Sequence, residues 1–218
     1  MSSLRFRYQT LEFDDTDIHL RTLRDTQEYE DKDNKASNLN IMESNWSLFG
    51  VIWPSSKVLA HYMYNFKTEK KRILEVGCGI GLTSLMLNQK HADITATDYH
   101  PEVEEFLKIN AKLNDDDIIP FTRTGWADQN DLLGKFDLII GSDILYERDH
   151  IPLLSSFIEN HAKKECEIII VDPNRGHSPK FAKKMIDLGF EYSYEKPEGT
   201  EEYLTETYKG RIIHLIRK

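Results

Sequence analysis

Short apolar runs alternate with amphipathic segments over most of the chain, a pattern typical of alternating strands and helices. Two of the runs, 136–141 and 167–172, are nearly all apolar, which indicates strands buried on both faces of a parallel sheet. The pattern predicts seven core strands, at residues 73–77, 93–98, 118–124, 136–141, 167–172, 190–194 and 210–216. It therefore favours a Rossmann-like α/β fold with a doubly wound, mostly parallel seven-stranded sheet and an antiparallel C-terminal strand.

A different pattern precedes this core. Imperfect alternation over residues 4–24, interrupted by turn residues from Asp14 to Asp17, predicts an N-terminal β-hairpin. Residues 25–40 are polar and acidic and favour a loop or a mobile segment. Pro54 favours an extended residue before it, and we expect Ser55 to cap the helix that follows. We expect one domain over 1–218, with an extension at 1–49 and the core at 50–218.

Composition narrows the classes of function, because a formal net charge of −9 argues against a protein that binds nucleic acid by neutralising phosphates. The two cysteines are too few for a disulfide framework or a metal knuckle and favour a reducing compartment. The run from Asp115 to Asp117 indicates a solvated turn, so we predict no metal site. No apolar run approaches the roughly 18 residues that span a bilayer, and because the first residues lack a long apolar run we expect no signal peptide. We expect a cytoplasmic protein away from membranes, of undetermined oligomeric state.

A glycine-rich stretch after the first core strand indicates a bound nucleoside. Gly77, Gly79 and Gly81 stand at alternate positions, where they let the backbone take positive φ and approach a ligand. Their amides lie at the start of the next helix, a place suited to polar or anionic groups. Asp98 ends the following strand, where a carboxylate can accept hydrogen bonds from both hydroxyls of a ribose. The stretch is therefore expected to bind a nucleoside-containing cofactor.

The glycine spacing separates the candidate cofactors. A dinucleotide fingerprint would place its third glycine at position 82, where this chain has leucine, and the loop lacks a phosphate-binding lysine. The run from Glu75 to Gly81 resembles motif I of class I S-adenosylmethionine-dependent methyltransferases. The resemblance implies S-adenosylmethionine as cofactor, with Asp98 on its ribose and its amino-acid end held by Glu75, Gly77, Cys78, Gly79 and Gly81. A structural ion pair at the strand end is the alternative for Glu75.

Further matches indicate one branch of these enzymes. The segment from Asp143 to Tyr146 resembles the Asp-x-x-Tyr motif of the seven-strand protein-lysine methyltransferase family. Trp53, before motif I, and Trp126, after the third core strand, resemble tryptophans of the same family. The resemblance implies that Trp53 contacts the methionine end of the cofactor, Trp126 its adenine and Ser142 its edge. Asp143 and Tyr146 would bind and orient the accepting amine, and a helical turn would put both on one side.

Structural roles are open for the same residues. Either tryptophan is also expected as a core anchor, because tryptophan is highly buried on average. Asp143 can cap the turn that follows it, and Tyr146 can be a packed ring. The motifs are therefore more specific for the family than for the function of each side chain.

The segment from Asp172 to Gly176 follows the fifth core strand and has two interpretations. Arg175, with Asn174 beside it, is a candidate for bidentate binding of a substrate carboxylate. Alternatively, Pro173 and Gly176 fix a turn, and Arg175 forms a structural ion pair. Similar Asp-Pro-x-Arg segments occur in sequences named nicotinamide N-methyltransferase-like, so a small-molecule acceptor is an alternative to a protein.

The motifs together predict an S-adenosylmethionine-dependent N-methyltransferase that acts on lysine side chains of a protein. A small-molecule amine is the alternative acceptor, to which the segment around Arg175 would contribute. A cofactor-binding scaffold without catalysis is disfavoured because the three glycines and Asp98 are intact. A nicotinamide-dependent oxidoreductase is disfavoured by Leu82.

Overall fold

Strands and helices alternate in the computed structural model, which describes residues 5–26, 29, 31, 34–39, 41–128 and 131–218. The strands are β1 (Phe6–Phe13), β2 (Thr16–Leu23), β3 (Arg72–Val76), β4 (Asp93–Asp98), β5 (Phe121–Arg123), β6 (Phe136–Ser142), β7 (Ala162–Asp172), β8 (Glu191–Glu195) and β9 (Arg211–Arg217). The helices are α1 (Lys35–Asn38), α2 (Pro54–Tyr64), α3 (Leu82–Gln89), α4 (Val103–Leu113), α5 (Ile151–His161) and α6 (Ser178–Asp187). Within the described ranges, none of them is long and apolar enough to cross a membrane.

The larger of two sheets has the strand order β5-β4-β3-β6-β7-β9-β8. Neighbouring strands from β5 to β7 are parallel, whereas β9 runs antiparallel to both β7 and β8. Strands β1 and β2 form a separate antiparallel hairpin. The predicted α/β fold, with its antiparallel C-terminal strand and N-terminal hairpin, is therefore confirmed.

The nearly all-apolar strands β6 and β7 lie near the centre of the sheet because both of their faces are covered by helices. Ile140 and Ile169 belong to a cluster with the buried residues of α2, α3 and α4. Ile139 and Ile170 belong to a second cluster with those of α5 and α6. Successive residues of one strand thus point to opposite layers, as the pleat of a strand requires.

The hairpin packs on the core. Phe13, Ile18 and Leu20 are buried in the same cluster as helices α2 and α3. The backbone N–H of His19 donates to Asn114 Oδ1 at 2.8 Å, which fixes one strand of the hairpin to the end of α4. Apolar burial and side-chain hydrogen bonds together hold this extension against the core.

The sequence prediction differs from the structure at the ends of several elements. β5 is only three residues long instead of 118–124, because Pro120 has no N–H to donate and Ile118 is 69% exposed at the edge of the sheet. β7 begins at Ala162, five positions before the predicted strand, through the polar residues Lys163 and Lys164. Because these residues are polar, the pattern of apolar residues does not indicate where the strand begins.

The helix that Ser55 was expected to cap begins at Pro54, so Ser55 lies inside the helix and the prediction is wrong. Pro54 occupies the first turn, where its missing N–H costs nothing, and Trp53 precedes the helix in an extended conformation. The Ser56 hydroxyl donates to Trp53 O at 2.8 Å. Ser55 Oγ instead lies 2.8 Å from the hydroxyl of Tyr208.

Part of the segment predicted as a loop or mobile segment at 25–40 is helical. The Asp31 carboxylate accepts the backbone N–H groups of Lys35 and Ala36 at 2.8 and 2.6 Å, at the start of α1. Leu4, at the start of the predicted hairpin, lies outside the described residues, as do 27–28, 30, 32–33 and 40 of the predicted loop.

The carboxyl ends of the parallel strands meet at one edge of the sheet. The chain changes direction between β3 and β6, and in such sheets this point opens a crevice beyond the strand ends. The glycine stretch, Asp98, Trp126, Asp143 and Arg175 all follow one of these ends. The fold therefore gathers residues that are far apart in sequence.

Candidate active site

The glycine stretch after β3 forms a tight loop in which Gly77, Gly79 and Gly81 all have positive φ, at 65°, 53° and 73°. A Cβ at Gly79 would lie 3.2 Å from Phe49 O, and one at Gly81 would overlap Leu107 Cδ1. The loop therefore needs glycine for its conformation and for its close approach to neighbouring segments.

Asp98 lies directly beside this loop, as the sequence predicted. Its Oδ2 accepts the backbone N–H of Gly79 at 2.9 Å, and its Oδ1 accepts the N–H of His100 at 2.8 Å. Burial raises the pKa of this carboxyl. Each oxygen has a further lone pair, so the carboxylate can still accept hydrogen bonds from hydroxyl groups. Its role towards a ribose stays a prediction.

Glu75, on β3, points away from solvent. Only 2% of this residue is exposed, and its Oε2 accepts the backbone N–H of Ser84 at 2.9 Å and also the Ser84 hydroxyl. Burial raises its pKa to about 7. The alternative of a strand-end ion pair is wrong, because the partner is the first turn of α3. Contact with a cofactor stays a prediction, and the geometry favours an indirect role that fixes the helix behind the loop.

Cys78 lies within the loop and holds it to the neighbouring strand. Its backbone N–H donates to Thr97 O at 2.9 Å, and its carbonyl accepts the N–H of Gly81 at 2.8 Å. The side chain is buried and its thiol is free. Burial raises its pKa well above the usual range, so the thiol stays neutral. Any contact of Cys78 with a cofactor is therefore expected through its backbone.

Asp143 and Arg175 form a bidentate ion pair at the ends of β6 and β7. Arg175 Nε and Nη2 donate to Asp143 Oδ1 and Oδ2, each at 2.7 Å. The Asp143 side chain is 13% exposed and that of Arg175 is 45% exposed. Of the two interpretations of Arg175, the structure displays the ion pair, and its partner is the carboxylate assigned to the accepting amine.

The segment from Asp143 to Tyr146 is not helical, so the helical spacing that would put both residues on one side does not apply. Asp143 has φ 53°, and its N–H donates to Val171 O at 2.9 Å. Burial, followed by the charges of Glu147, Asp98 and Asp143, raises the pKa of Tyr146 to about 12. The charges of Asp98 and Asp143 thus both act on the Tyr146 hydroxyl.

Two aromatic rings meet the imidazole of His150. The centroid of Trp126 lies 5.7 Å from it and that of Tyr146 lies 6.1 Å from it, both edge to face. Trp126 stands on a turn after β5, where Asp128 Oδ2 accepts the N–H of Gly125 at 2.6 Å. Trp126 is half-buried, and its role towards adenine stays a prediction. Sequence reasoning missed His150, whose only signal is its place four residues after Tyr146.

The segment before α2 covers the glycine loop. Phe49 approaches Gly79 through its carbonyl. Its ring stacks on the imidazole of His100, with the two ring centroids 4.0 Å apart. Trp53 Nε1 donates to Leu48 O at 3.0 Å, and the ring is half-buried. Trp53 therefore lies outside the fully buried core, which disfavours the core-anchor alternative. Its contact with a cofactor stays a prediction.

The remaining predicted residues lie at the same edge of the sheet. Ser142 ends β6 opposite Val171 and is partly exposed. Asn174 has φ 73°, and its Oδ1 accepts a hydrogen bond from Arg211 Nη2 at 2.6 Å. Asp172 is fully buried, which raises its pKa. The roles of Ser142 and Asn174 in ligand binding stay predictions.

Tyr208 is a second tyrosine at this edge, and sequence reasoning missed it. It precedes β9, whose first residue pairs with Asp172. Its hydroxyl meets Ser55 Oγ at 2.8 Å, and burial raises its pKa, as do the charges of Asp143 and Asp172. The contact with Ser55 joins residues 153 positions apart, so no local pattern reveals it.

Comparisons with known proteins bear on the family and on the fold of the chain. The sequence profile of a family described as lysine methyltransferase matches residues 32–187. Protein N-lysine methyltransferase METTL21A of Danio rerio is 27% identical over 140 residues, which are 59% of this chain and 64% of the relative. The electron transfer flavoprotein beta subunit lysine methyltransferase of Mus musculus is 28% identical over 163 residues, which are 72% and 61%. The chain thus spans less than two thirds of the length of either relative.

A solved structure shows the same fold. The crystal structure of magnesium protoporphyrin IX methyltransferase (ChlM) from Synechocystis PCC 6803 with bound SAM has a TM-score of 0.58 to this chain. The alignment covers 75% of this chain and 78% of that one, with 21% sequence identity. This likeness concerns the fold alone.

Proposed function

Because the chain belongs to the lysine methyltransferase family, we propose that it transfers a methyl group from S-adenosylmethionine to the side-chain nitrogen of a protein lysine. The proposal is carried by one observation: two groups of residues meet at one edge of the sheet. The glycine loop and Asp98 form a nucleoside side, and Asp143 and Tyr146 form an acceptor side. The two groups lie at the carboxyl ends of β4, β3 and β6, which are neighbouring parallel strands.

The residues of the nucleoside side fit this cofactor. The loop around Gly79 has no Cβ to repel a ligand, and the carboxylate of Asp98 keeps lone pairs for the two ribose hydroxyls. The backbone of the loop would hold the amino-acid end, with Trp53 near the methionine. Trp126 and Ser142 would border the adenine and the cofactor's edge.

The acceptor side fits an amine. When bound, the cofactor supplies an electrophilic methyl group on a sulfonium, which the acceptor nitrogen attacks in line. The chain then has to orient the nitrogen and exclude water. Asp143 accepts an N–H of the nitrogen, and the rings of Tyr146 and Trp126 border it. Lysine has an ordinary pKa of about 10.4, so partial desolvation beside these rings favours the neutral form that reacts.

The alternative of a small-molecule acceptor loses its main support. It rested on Arg175 binding a substrate carboxylate, yet Arg175 already donates Nε and Nη2 to Asp143. A substrate carboxylate would have to displace Asp143 from both of these donors.

The proposal also concerns the domain organisation and the cellular compartment of the chain. The hairpin and the core would act as one domain, since the hairpin's apolar side chains are buried in the core cluster. Cys78 and Cys166 are free thiols, which favours a reducing, cytoplasmic environment.

Radiolabelled methyl donor tests the proposal. The full chain is incubated with donor and a cell lysate, and protein-bound label is then separated from small-molecule label. We expect label on protein with the wild type and with Asp93→Asn, an exposed aspartate at the opposite end of β4. We expect none with Asp98→Ala. Label confined to small molecules would refute the protein acceptor.

A further inference from the structure

The Asp143–Arg175 pair has a consequence for the charge of the accepting amine. We propose that Arg175 is a positioning residue that orients and neutralises the Asp143 carboxylate, so that the acceptor lysine reacts as a free amine. This inference rests on the proposed function, because it assigns a role beside the same acceptor. Arg175 itself need not touch the acceptor.

The geometry of the pair suits orientation. Two parallel hydrogen bonds of 2.7 Å fix the plane of the carboxylate as well as its position. A carboxylate has about four lone-pair sites, and the fork uses two of them. The others can accept an N–H of the acceptor, so pairing with Arg175 does not block this contact.

The loop after β7 is built to present Arg175. Its two neighbours, Asn174 and Gly176, have φ 73° and 88°, so the chain turns sharply on both sides of it. Arg211 Nη2 donates to Asn174 Oδ1 at 2.6 Å and holds the first of these turns. Asp143 is held as well, by its N–H bond to Val171 O at 2.9 Å.

Charge decides what the pair does to the acceptor. An unpaired carboxylate next to a lysine would stabilise the ammonium form, which has no lone pair to attack with. The guanidinium cancels that charge while leaving the hydrogen-bond acceptors in place. The charges of Asp172 and Tyr208 also raise the pKa of Arg175. Glu147, Asp98 and Asp143 raise the pKa of Tyr146, and Arg211 lowers that of Asp172. Without Arg175, the carboxylates among them would add to the attraction for ammonium.

The chemical step needs the free amine. The acceptor ammonium first loses one proton to water. The nitrogen lone pair then forms the N–C bond to the methyl group while the C–S bond breaks, and its electron pair stays on sulfur. The products are a methylated ammonium and the thioether S-adenosylhomocysteine.

Binding of a lysine mimic gives the decisive test. Nα-acetyl-lysine methylamide is titrated by NMR into wild type and Arg175→Gln, each with S-adenosylhomocysteine, at pH 7 and at pH 10.5. We expect Arg175→Gln to bind the mimic about tenfold more tightly than wild type at pH 7, as one pKa unit implies, and equally at pH 10.5. Equal affinities at both pH values would overturn the proposal. Tighter binding at both would also overturn it, since Arg175 would then only block the site.

The pH dependence of turnover is a second test, because a purely structural role of Arg175 would not change it. For Arg175→Gln we expect kcat on the labelled lysate protein to fall about tenfold at pH 7, KM to fall as well, and both to approach wild type at high pH. Arg175→Lys should keep the pH profile. Lys163→Gln, which removes the cation of an exposed ion pair with Asp137 at the opposite edge, is the matched control.

The two hypotheses fail separately. If the wild type labels no protein lysine, the proposed function is wrong, yet the affinity ratio at the two pH values still decides whether Arg175 neutralises Asp143. If the wild type methylates lysine and Arg175→Gln has an unchanged affinity ratio, only the role of Arg175 is wrong.

Discussion

The carboxylate of Asp98 accepts the backbone N–H of Gly79 at 2.9 Å, which joins the end of β4 to the loop that follows β3. A second bond, from the N–H of His100 at 2.8 Å, holds the other carboxylate oxygen. These two bonds fix the orientation of the side chain beside the loop.

Replacing Asp98 with alanine removes this anchor and the proposed acceptor of the ribose hydroxyls. Hydrogen bonds to a charged group contribute about 1.5–3 kcal/mol each, so loss of two should lower the affinity for S-adenosylhomocysteine by a factor on the order of 100 or more in calorimetry. Asp93→Asn, at the exposed end of the same strand, should leave it unchanged. An unaltered affinity in Asp98→Ala would refute the ribose assignment.

Much of the fold follows from local pattern. The strands β6 and β7 are apolar on both faces, so their place near the centre of the sheet can be read from sequence. The ends of strands are harder to predict. β7 includes the exposed residues Lys163 and Lys164, which an apolar pattern does not mark as strand. The start of α2 was misjudged because Pro54 itself begins the helix.

The site was predictable only where its parts are close in sequence. Gly77, Gly79 and Gly81 share one loop, and Asp98 ends the next strand, so spacing alone predicted that they lie together. The pairing of Arg175 with Asp143 joins residues 32 positions apart, and it depends on how β6 and β7 lie side by side. Such pairings follow from the fold and not from a motif.

Gly81 should not tolerate a side chain. Its φ of 73° costs alanine about 1–2 kcal/mol, and the new Cβ would overlap Leu107 Cδ1, which adds about 1–3 kcal/mol in a packed core. We expect Gly81→Ala to lower the free energy of unfolding in urea by about 2–5 kcal/mol. Gly176→Ala, at φ 88° with open space around it, should show the conformational cost alone. Equal losses in the two variants would contradict the close packing.

Glu75 should make stability depend on pH. Burial raises its pKa in the folded state from an ordinary 4.5 to about 7, so its favourable contribution is complete below pH 4.5 and is lost as pH rises through 7. The difference between the two pKa values corresponds to about 3 kcal/mol. Between pH 5 and pH 8, wild type should lose more unfolding free energy in urea than Glu75→Gln. Parallel losses would show that Glu75 ionises as freely in the fold as out of it.

Asp143 should matter for transfer and not for cofactor binding. Asp143→Asn keeps the shape of the side chain but weakens its fork with Arg175 and its hold on the acceptor N–H. Misplacement of about 1 Å can cost 100-fold in rate, so we expect kcat to fall by about that factor. The affinity for S-adenosylhomocysteine should stay within about twofold. Asp149→Asn, at an exposed aspartate of the same loop, is the control. A large loss of cofactor affinity in Asp143→Asn would show that Asp143 binds the cofactor and not the acceptor.

The most direct test of the central claim is the identity of the methylated residue. Protein labelled by the wild-type chain is hydrolysed with acid, and the radiolabelled amino acids are separated by chromatography. The account predicts that the label co-elutes with methyllysine and disappears when Asp98→Ala replaces the wild type. Label that co-elutes with a methylated form of any other amino acid would contradict it.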